Sequence, residues 1–390
     1  MALFLVQPSQ SFAADPAFDV FKEYTEGARK RINYDYWDLV LNKTVIDLGP
    51  SHRYAPRYRT RSTGTRISAG STKPSWLEGN RVLFETLSDY QIAEIGDYRL
   101  GLEEIFDRVD YASFSRNEQL AYWLNLYNVT LFEQVALIYP RKNLRTTMKG
   151  SRRRPGVLGT KLLVVMGVNI SLDDIMNEIL IPNWQDPLVL YGMFQGSIGG
   201  PNINTSAFTG SNVQMFLERN ALDFVNSIRG VHGRGKTLQV SEFYQWGAAA
   251  FPNFDVDLMT HLQEFADSKT QEIIDATTKI KAGYYDWHVA DLYNGVSPRD
   301  GFGNMYASML GAGGVANMAV QDSPGALGTV TGLSLFGRDN GIQIFSAPEA
   351  SLPRHTQALF RALEQKFELF GFPGTSVTID EVESETEVEK

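Results

Sequence analysis

The segment from Arg116 to Tyr139 is the sequence feature that most limits how this chain can fold. Ser115 and Glu118 form a capping box, in which each side chain bonds the backbone of the other residue at a helix start. Apolar side chains then recur at helical spacing, at Leu120, Trp123, Leu124, Tyr127, Leu131 and Val135. Pro140 ends the pattern, because proline cannot donate the next helical hydrogen bond. We therefore predict a long helix that is central and buried.

The remaining patterns predict an α+β fold: a helix-rich single domain around a small sheet, with long irregular loops. Spacing and capping predict helices from Asp15 onward, near 36–41, and over 83–93, 100–109, 171–180, 212–228 and 255–280. Short apolar or β-branched runs predict strands at 162–168, 187–194 and 237–241.

The N-terminus is typical of an export signal. An apolar run at 2–6 is followed by Ser11-Phe12-Ala13, which places small residues where a signal peptidase cuts, although a basic start is missing. We predict that residues 1–13 are removed and that the mature protein is exported, to the periplasm. An apolar tail docked on the core is the alternative.

Composition divides the rest of the chain. The main domain is predicted to span 15–297. Residues 298–345 are rich in glycine and are predicted to form an irregular excursion, and residues 346–372 a C-terminal helix. Residues 373–390 are acidic and free of aromatic side chains, so a disordered tail is predicted there.

The absence of cysteine excludes several kinds of site. The chain can hold no catalytic thiol, disulfide, thiolate zinc site or iron–sulfur cluster of its own. No run of about 18 apolar residues is present, so no transmembrane helix is predicted. The five histidines show no metal-ligand spacing, and we predict neither a metal site nor a cofactor.

Basic residues are concentrated in two blocks of a chain whose net charge is −9. Residues 51–75 contain six basic residues and residues 141–161 contain eight, and neither block has an acid. In the first block arginines alternate with aromatic residues, so Arg57 and Arg59 are predicted to bind an anionic ligand. The alternative is that both blocks cover acidic patches of the protein itself.

Two polar segments are candidates for a ligand site. Asn125 and Asn128 lie three residues apart on one face of the long apolar helix, where unpaired amides would be costly. They either orient a ligand or bond neighbouring backbone. The glycine-rich segment 195–200 follows a predicted strand, and Gln195, Gly196 and Ser197 are predicted to bind the ligand there, since glycine lets backbone N–H groups approach an anion.

Catalytic candidates are few. Ser197 lies in a near match to the Gly-x-Ser-x-Gly nucleophile elbow, but Gln195 replaces the first glycine and no helix pattern follows. His288 follows a carboxylate and an indole that could adjust its pKa, and Glu178 is a second possible base. A packed, hydrogen-bonded histidine is the alternative for His288.

Three blocks of sequence resemble the signature of the DUF547 family, a domain of unassigned function. They are Tyr122-Trp123-Leu124-Asn125-Leu126-Tyr127-Asn128, Ser171-Leu172-Asp173-Asp174-Ile175 and Gly196-Ser197-Ile198-Gly199-Gly200-Pro201-Asn202. The similarity covers about 115–250. Many relatives carry cysteine where this chain has Gln195 and histidine where it has Asn177. The resemblance therefore implies a divergent member, to which thiol chemistry cannot be transferred.

Two functions follow as expectations. The first is an exported protein that binds an anionic or polar, envelope-associated ligand, small or polymeric, in a cleft between the asparagine-bearing helix and the glycine-rich turn. The second is a thiol-free hydrolase or acyl transferase, in which the turn and Gln195 would stabilise an oxyanion and His288 or Glu178 would act as base. No specific nucleic-acid binding is predicted.

Overall fold

The computed structural model describes residues 15–51, 53, 75 and 78–291, together with the backbone of residues 379–381. The predictions for the export signal, for Arg57 and Arg59, for the glycine-rich excursion and for the C-terminal helix lie outside the described residues.

The predicted central helix is helix α3, Arg116–Ile138. The hydroxyl of Ser115 accepts the N–H of Glu118, as the capping pattern predicts. Nearly all of the helix is buried, and Trp123 is fully enclosed. The indole of Trp123 donates to the Tyr111 hydroxyl (3.0 Å) and packs edge-on against Phe21. A helix buried on every side organises the elements around it.

Ten α-helices lie in the described part of the chain. They are α1 (Asp35–Thr44), α2 (Asp89–Glu103), α3 (Arg116–Ile138), α4 (Arg145–Lys149), α5 (Leu172–Asp174), α6 (Ile181–Trp184), α7 (Val213–Val225), α8 (Glu242–Trp246), α9 (Phe254–Phe265) and α10 (Ser268–Asp275). A π-helical stretch, Ile175–Leu180, joins α5 to α6. The capping box of Ser171 and Asp174 begins α5 as predicted.

The strands are short and form small sheets. They are β1 (Lys30–Ile32), β2 (Val45–Ile46), β3 (Arg81–Val82), β4 (Gly150–Ser151), β5 (Arg154–Pro155), β6 (Leu163–Val165), β7 (Val168–Ile170), β8 (Val231–Arg234), β9 (Thr237–Ser241), β10 (Lys279–Tyr284) and β11 (Ile379–Glu381). The largest sheet has the order β10-β9-β8, with β10 parallel and β8 antiparallel to β9. The architecture is therefore α+β, helix-rich with small sheets.

Strand β1 pairs with β11 in antiparallel register, Lys30 opposite Glu381 and Ile32 opposite Ile379. The backbone N–H of Ile32 also donates to the carboxylate of Glu118 on α3 (2.9 Å). These three residues of β11 fall within the predicted disordered tail, so at this point the structure differs from that prediction.

Four predicted elements were wrong in type or bounds. Residues Pro187–Gly192 form a 3₁₀ helix rather than a strand, because Asp186 caps the N–H of Leu188 and proline stands at the first position. The single helix predicted over 255–280 is α9, α10 and β10, since Asp267 caps a new helix start. The helices predicted at 83–93 and 100–109 are one helix, α2, whose start is capped by Ser88.

A continuous hydrophobic core joins the elements from Phe18 to Ala290. Within the residues that the structure describes, no helix is both long and apolar enough to cross a membrane.

Candidate functional site

Asn125 and Asn128 each hold a second segment of chain against α3. The amide of Asn128 donates to the carbonyl of Gly192 (2.8 Å) and accepts the N–H of Phe194 (2.9 Å). Asn125 makes the same pair of bonds with Phe208, at 2.7 and 3.0 Å. Both amides are buried and occupied by backbone, which is the alternative stated for them above. A direct role in ligand binding stays a prediction.

Gln195 lies next to this clamp, and its side chain is buried and bonded. Its Nε2 donates to the Tyr127 hydroxyl (2.7 Å) and to the carbonyl of Met193 (3.2 Å). Gly200 packs on it so closely that a Cβ at Gly200 would lie 2.6 Å from the Cβ of Gln195. The long helix and the glycine-rich turn therefore meet through Tyr127 and Gln195. The side chain at position 195 is thus a packed amide.

Gly196 allows the backbone of the turn to adopt its observed conformation. Its φ is +68°, and a Cβ there would lie 2.7 Å from Cγ2 of Val135 on α3. A side chain at this position would meet both a backbone penalty and a clash. Glycine here lets the turn pass against the central helix, which is a structural reason for the glycine in addition to any ligand contact.

Residues 286–290 form a ribbon between the glycine-rich turn and the second basic block. On one side Ala290 donates to the carbonyl of Gly196, and Ile198 to that of His288. On the other side Leu144 donates to the carbonyl of Trp287 (2.9 Å), and Val289 to that of Lys142. A single segment, the ribbon, thus separates the backbone of the basic block from the turn, although about 50 residues lie between them in sequence.

Tyr285, next to the ribbon, contacts the turn through its side chain. The Tyr285 hydroxyl bonds that of Ser197 (2.8 Å), and both side chains are buried. The Tyr285 ring packs on Trp287 and Trp246, with centroids 4.5 and 4.7 Å away. The ammonium of Lys149, at the end of α4, lies 4.2 Å from the centroid of Trp246 and 5.3 Å from that of Trp287. We call Lys149, Trp246, Tyr285 and Trp287 the aromatic–lysine cluster.

Lys149 forms one ion pair, with Glu242. Partial burial lowers the pKa of Lys149, and the positive charge of Arg145 lowers it further. The carboxylate of Glu242, 3.7 Å away, raises the pKa. Within the described part of the chain, the exposed side chains of the neighbouring basic residues make no ion pair; these are Arg141, Lys142, Arg145, Arg152, Arg153 and Arg154. The cluster therefore has a positive border open to solvent.

His288 belongs to a different environment. Its Nδ1 lies 2.7 Å from the carboxylate of Asp286, whose other oxygen accepts from the hydroxyl of Ser75 (2.7 Å). Ser197 bonds Tyr285 instead, so His288 is not paired with the candidate nucleophile. Glu178 makes no hydrogen bond or ion pair with other described residues. The structure therefore does not assemble a serine–base pair from these candidates.

Three N–H groups of the turn are already bonded to backbone carbonyls. The N–H groups of Ile198, Gly199 and Gly200 donate to the carbonyls of His288, Asp286 and Ser197. Donors that are already bonded to backbone cannot stabilise a developing negative charge. This weakens the oxyanion-hole interpretation of the turn.

A buried ion pair supports the far end of the turn. Arg229 is almost fully enclosed, donates to the carbonyl of Gly200 (2.8 Å) and pairs with Asp223. The backbone N–H of Arg229 donates to the carboxylate of Glu78. Breaking such a pair would leave an uncompensated buried charge, so we assign this network to holding the turn in place. Among the residues described, no three histidine or acidic side chains come together to hold a metal ion.

Sequence reasoning found the turn and the basic block but missed the residues that join them, Tyr285 and Trp287. Their alternation with Asp286 and His288 was a signal of a strand-like segment, but it is short. Arg53, from the first basic block, is used internally, since its guanidinium donates to the carbonyls of Val231 and Val225 and to the hydroxyl of Thr270.

The fold and this site define a class: an α+β protein with a cysteine-free, glycine-rich turn clamped to a buried helix. Residues 111–225 match the sequence model of the family described as protein of unknown function, DUF547. The resemblance is thereby confirmed over that range, and the lack of cysteine agrees with a divergent member. No curated protein and no solved structure matches the chain.

Proposed function

We propose that this chain is a binding protein for an anionic ligand, held at the aromatic–lysine cluster and its positive border. The observation that carries the proposal is the position of the Lys149 ammonium over the Trp246 and Trp287 rings, next to basic residues of the same block that make no ion pair with other described residues. An incoming anion would relieve the repulsion between Lys149 and Arg145 and would replace part of the water lost by the ammonium.

The aromatic rings add a preference for a ligand with a ring. The face of an indole contacts the apolar side of a sugar or another flat group, and Trp246 is only partly buried. An acidic polysaccharide has both features, a carboxylate and a ring in each repeat. Following the export signal predicted for residues 1–13, we place this binding outside the cytoplasm, at the cell envelope.

Binding is favoured over catalysis by the state of the turn. The Gln195 amide is bonded on the inside, and the N–H groups of 198–200 are occupied. Ser197 has a tyrosine rather than a base as its partner. None of these groups is free to attack a substrate or to stabilise an oxyanion.

The test is a titration of tryptophan fluorescence with polygalacturonate, inorganic polyphosphate and neutral dextran. We expect the first two to change the fluorescence and dextran not to, and we expect the affinity to fall as salt rises, because the contacts with the border are screened. Lys149→Met keeps the alkyl chain on the rings and removes the charge, so it should weaken binding. Lys269→Met, an exposed lysine on α10, is the matched control.

Equal binding of dextran, or no effect of salt, would contradict the proposal. Cleavage of any probe, or of a panel of esters and amides, that disappears in Gln195→Ala would favour the enzyme instead.

A further inference from the structure

A cavity lies between α2, the C-terminal part of α3 and the turn at Phe84–Thr86. It has a volume of about 560 Å³. Its size falls within the range of small-molecule sites in proteins. None of its lining residues belongs to the aromatic–lysine cluster.

The wall of this α2–α3 cavity combines apolar and polar surface in nearly equal parts. The residues that form it include Phe84, Leu87, Ile92, Ala136, Leu137 and Tyr139. Leu100 and Leu137 also line it and are 46% and 59% exposed, which is unusual for large apolar side chains. Apolar side chains open to solvent beside a cavity are typical of a binding site.

The charged lining is acidic. Four carboxyl side chains line the cavity, those of Glu85, Asp89, Asp97 and Glu133, together with one guanidinium, that of Arg99. Arg99 is already engaged, because it donates to Glu133 (2.6 Å) and to Glu103. An anion that approached Arg99 would therefore meet an excess of negative charge.

Gly96 allows the Glu133 side chain to pack closely against α2. It lies inside α2, where glycine lowers helix stability. A Cβ at Gly96 would lie 2.8 Å from Oε1 of Glu133. Glycine at this position lets the Glu133 carboxylate rest against α2 and reach Arg99 at the cavity wall.

Glu85 supplies the independent observation. It lines the cavity, it is 7% exposed, and neither of its carboxyl oxygens has a hydrogen-bond partner among the described residues. Burial, and then the nearby Asp291, raise the pKa of Glu85 well above its usual value. A buried carboxyl without partners is costly unless something supplies donors. No described side chain does so, since the one cation in the lining, Arg99, is held by two other carboxylates.

We propose that the α2–α3 cavity binds a small organic cation with an apolar body, an alkyl- or arylammonium ion. The ammonium group adds positive charge beside Glu133 and close to the enclosed Glu85 carboxyl, whose ionised form it favours, while the apolar part contacts Leu137 and Ile92. This site is separate from the surface proposed above and does not depend on it.

The test compares three probes that share one alkyl chain: hexylammonium, hexanol and hexanoate. Binding is followed by NMR titration of backbone amides, with Gly96 as the reporter on the wall. We expect hexylammonium to bind, hexanol to bind more weakly and hexanoate not to bind.

Glu85→Gln keeps the size of the side chain and removes a carboxylate close to the ammonium, so it should weaken hexylammonium binding by about tenfold through the lost charge. Glu104→Gln, an exposed glutamate outside the cavity, should leave binding unchanged. Ala93→Trp, which fills the cavity from an exposed lining position, should abolish binding of every probe. Equal affinity for hexanol and hexylammonium, tighter binding of hexanoate, or no effect of Glu85→Gln would overturn the proposal.

Discussion

Replacing Asn128 by alanine should destabilise the protein strongly, because its amide satisfies two backbone groups that water cannot reach. The carbonyl of Gly192 and the N–H of Phe194 would both lose their partner. A stranded buried group costs about 1–3 kcal/mol, so the two together give about 2–6 kcal/mol. Partial relaxation of the segment places our expectation near 3 kcal/mol, a large share of the about 5–15 kcal/mol by which proteins are stable.

Urea unfolding followed by circular dichroism measures this loss as a lower midpoint at unchanged slope. Asn117→Ala is the matched control, since Asn117 lies on the same helix, is exposed and gains the same helix propensity. Asn128→Asp keeps an acceptor for Phe194 but loses the donor to Gly192, so it should also destabilise. If Asn128→Ala and Asn117→Ala differ by less than about 1 kcal/mol, then the clamp does not hold the turn and the reasoning fails.

Three further outcomes are expected from the same unfolding assay. Trp123→Ala should cost about 3–5 kcal/mol, as for other fully buried tryptophans, and a loss under about 1 kcal/mol would contradict a central position for α3. Burial lowers the pKa of His261 to about 4, below its unfolded value near 6.5. The free energy of unfolding should therefore be highest above pH 6.5 and fall by up to about 3 kcal/mol as the pH drops toward 4. A pH profile that is unchanged in His261→Gln would refute this. Gly192→Ala should cost about 1–3 kcal/mol through overpacking, because its Cβ would lie 2.7 Å from Leu124 and 2.8 Å from Leu217, and an unchanged midpoint would argue against this tight contact.

Local signals predicted the elements whose ends are marked by side chains. Ser115 and Pro140 bound α3, and Ser171 with Asp174 begins α5, because capping is decided within one helical turn. The strand predicted at 187–194 was wrong because a local capping signal also decides the structure there. Asp186 and Pro187 are a helix-start signal, and it prevailed over the apolar run that follows.

The candidate site was predicted only in part, because its assembly depends on distant pairing. The glycine-rich turn and the basic block were visible as composition, but the ribbon that joins them is set by bonds such as Leu144 to Trp287, across more than a hundred residues. No local pattern marks that partner. Asn125 and Asn128 were visible as polar residues on an apolar helix, yet sequence could not show whether backbone or ligand satisfied them.

Glu85 left no sequence signal at all. A single glutamate beside Phe84 is ordinary in a half-exposed turn, and only the surrounding structure shows that its carboxyl is enclosed. Properties of this kind arise from the packing of α2 against α3, which no spacing rule describes.

The pairing of β1 with β11 sets an order of events during synthesis. Lys30 is opposite Glu381, so roughly 350 residues must be added after β1 emerges, which at ribosomal rates takes about 18 to 70 s. During that time Glu118 can already hold the N–H of Ile32, but the edge that faces β11 stays open. Lys30 and Arg31 place charge on this waiting edge, and the strand is only three residues long. Both features discourage a neighbouring nascent chain from adding a strand there before the chain's own partner arrives.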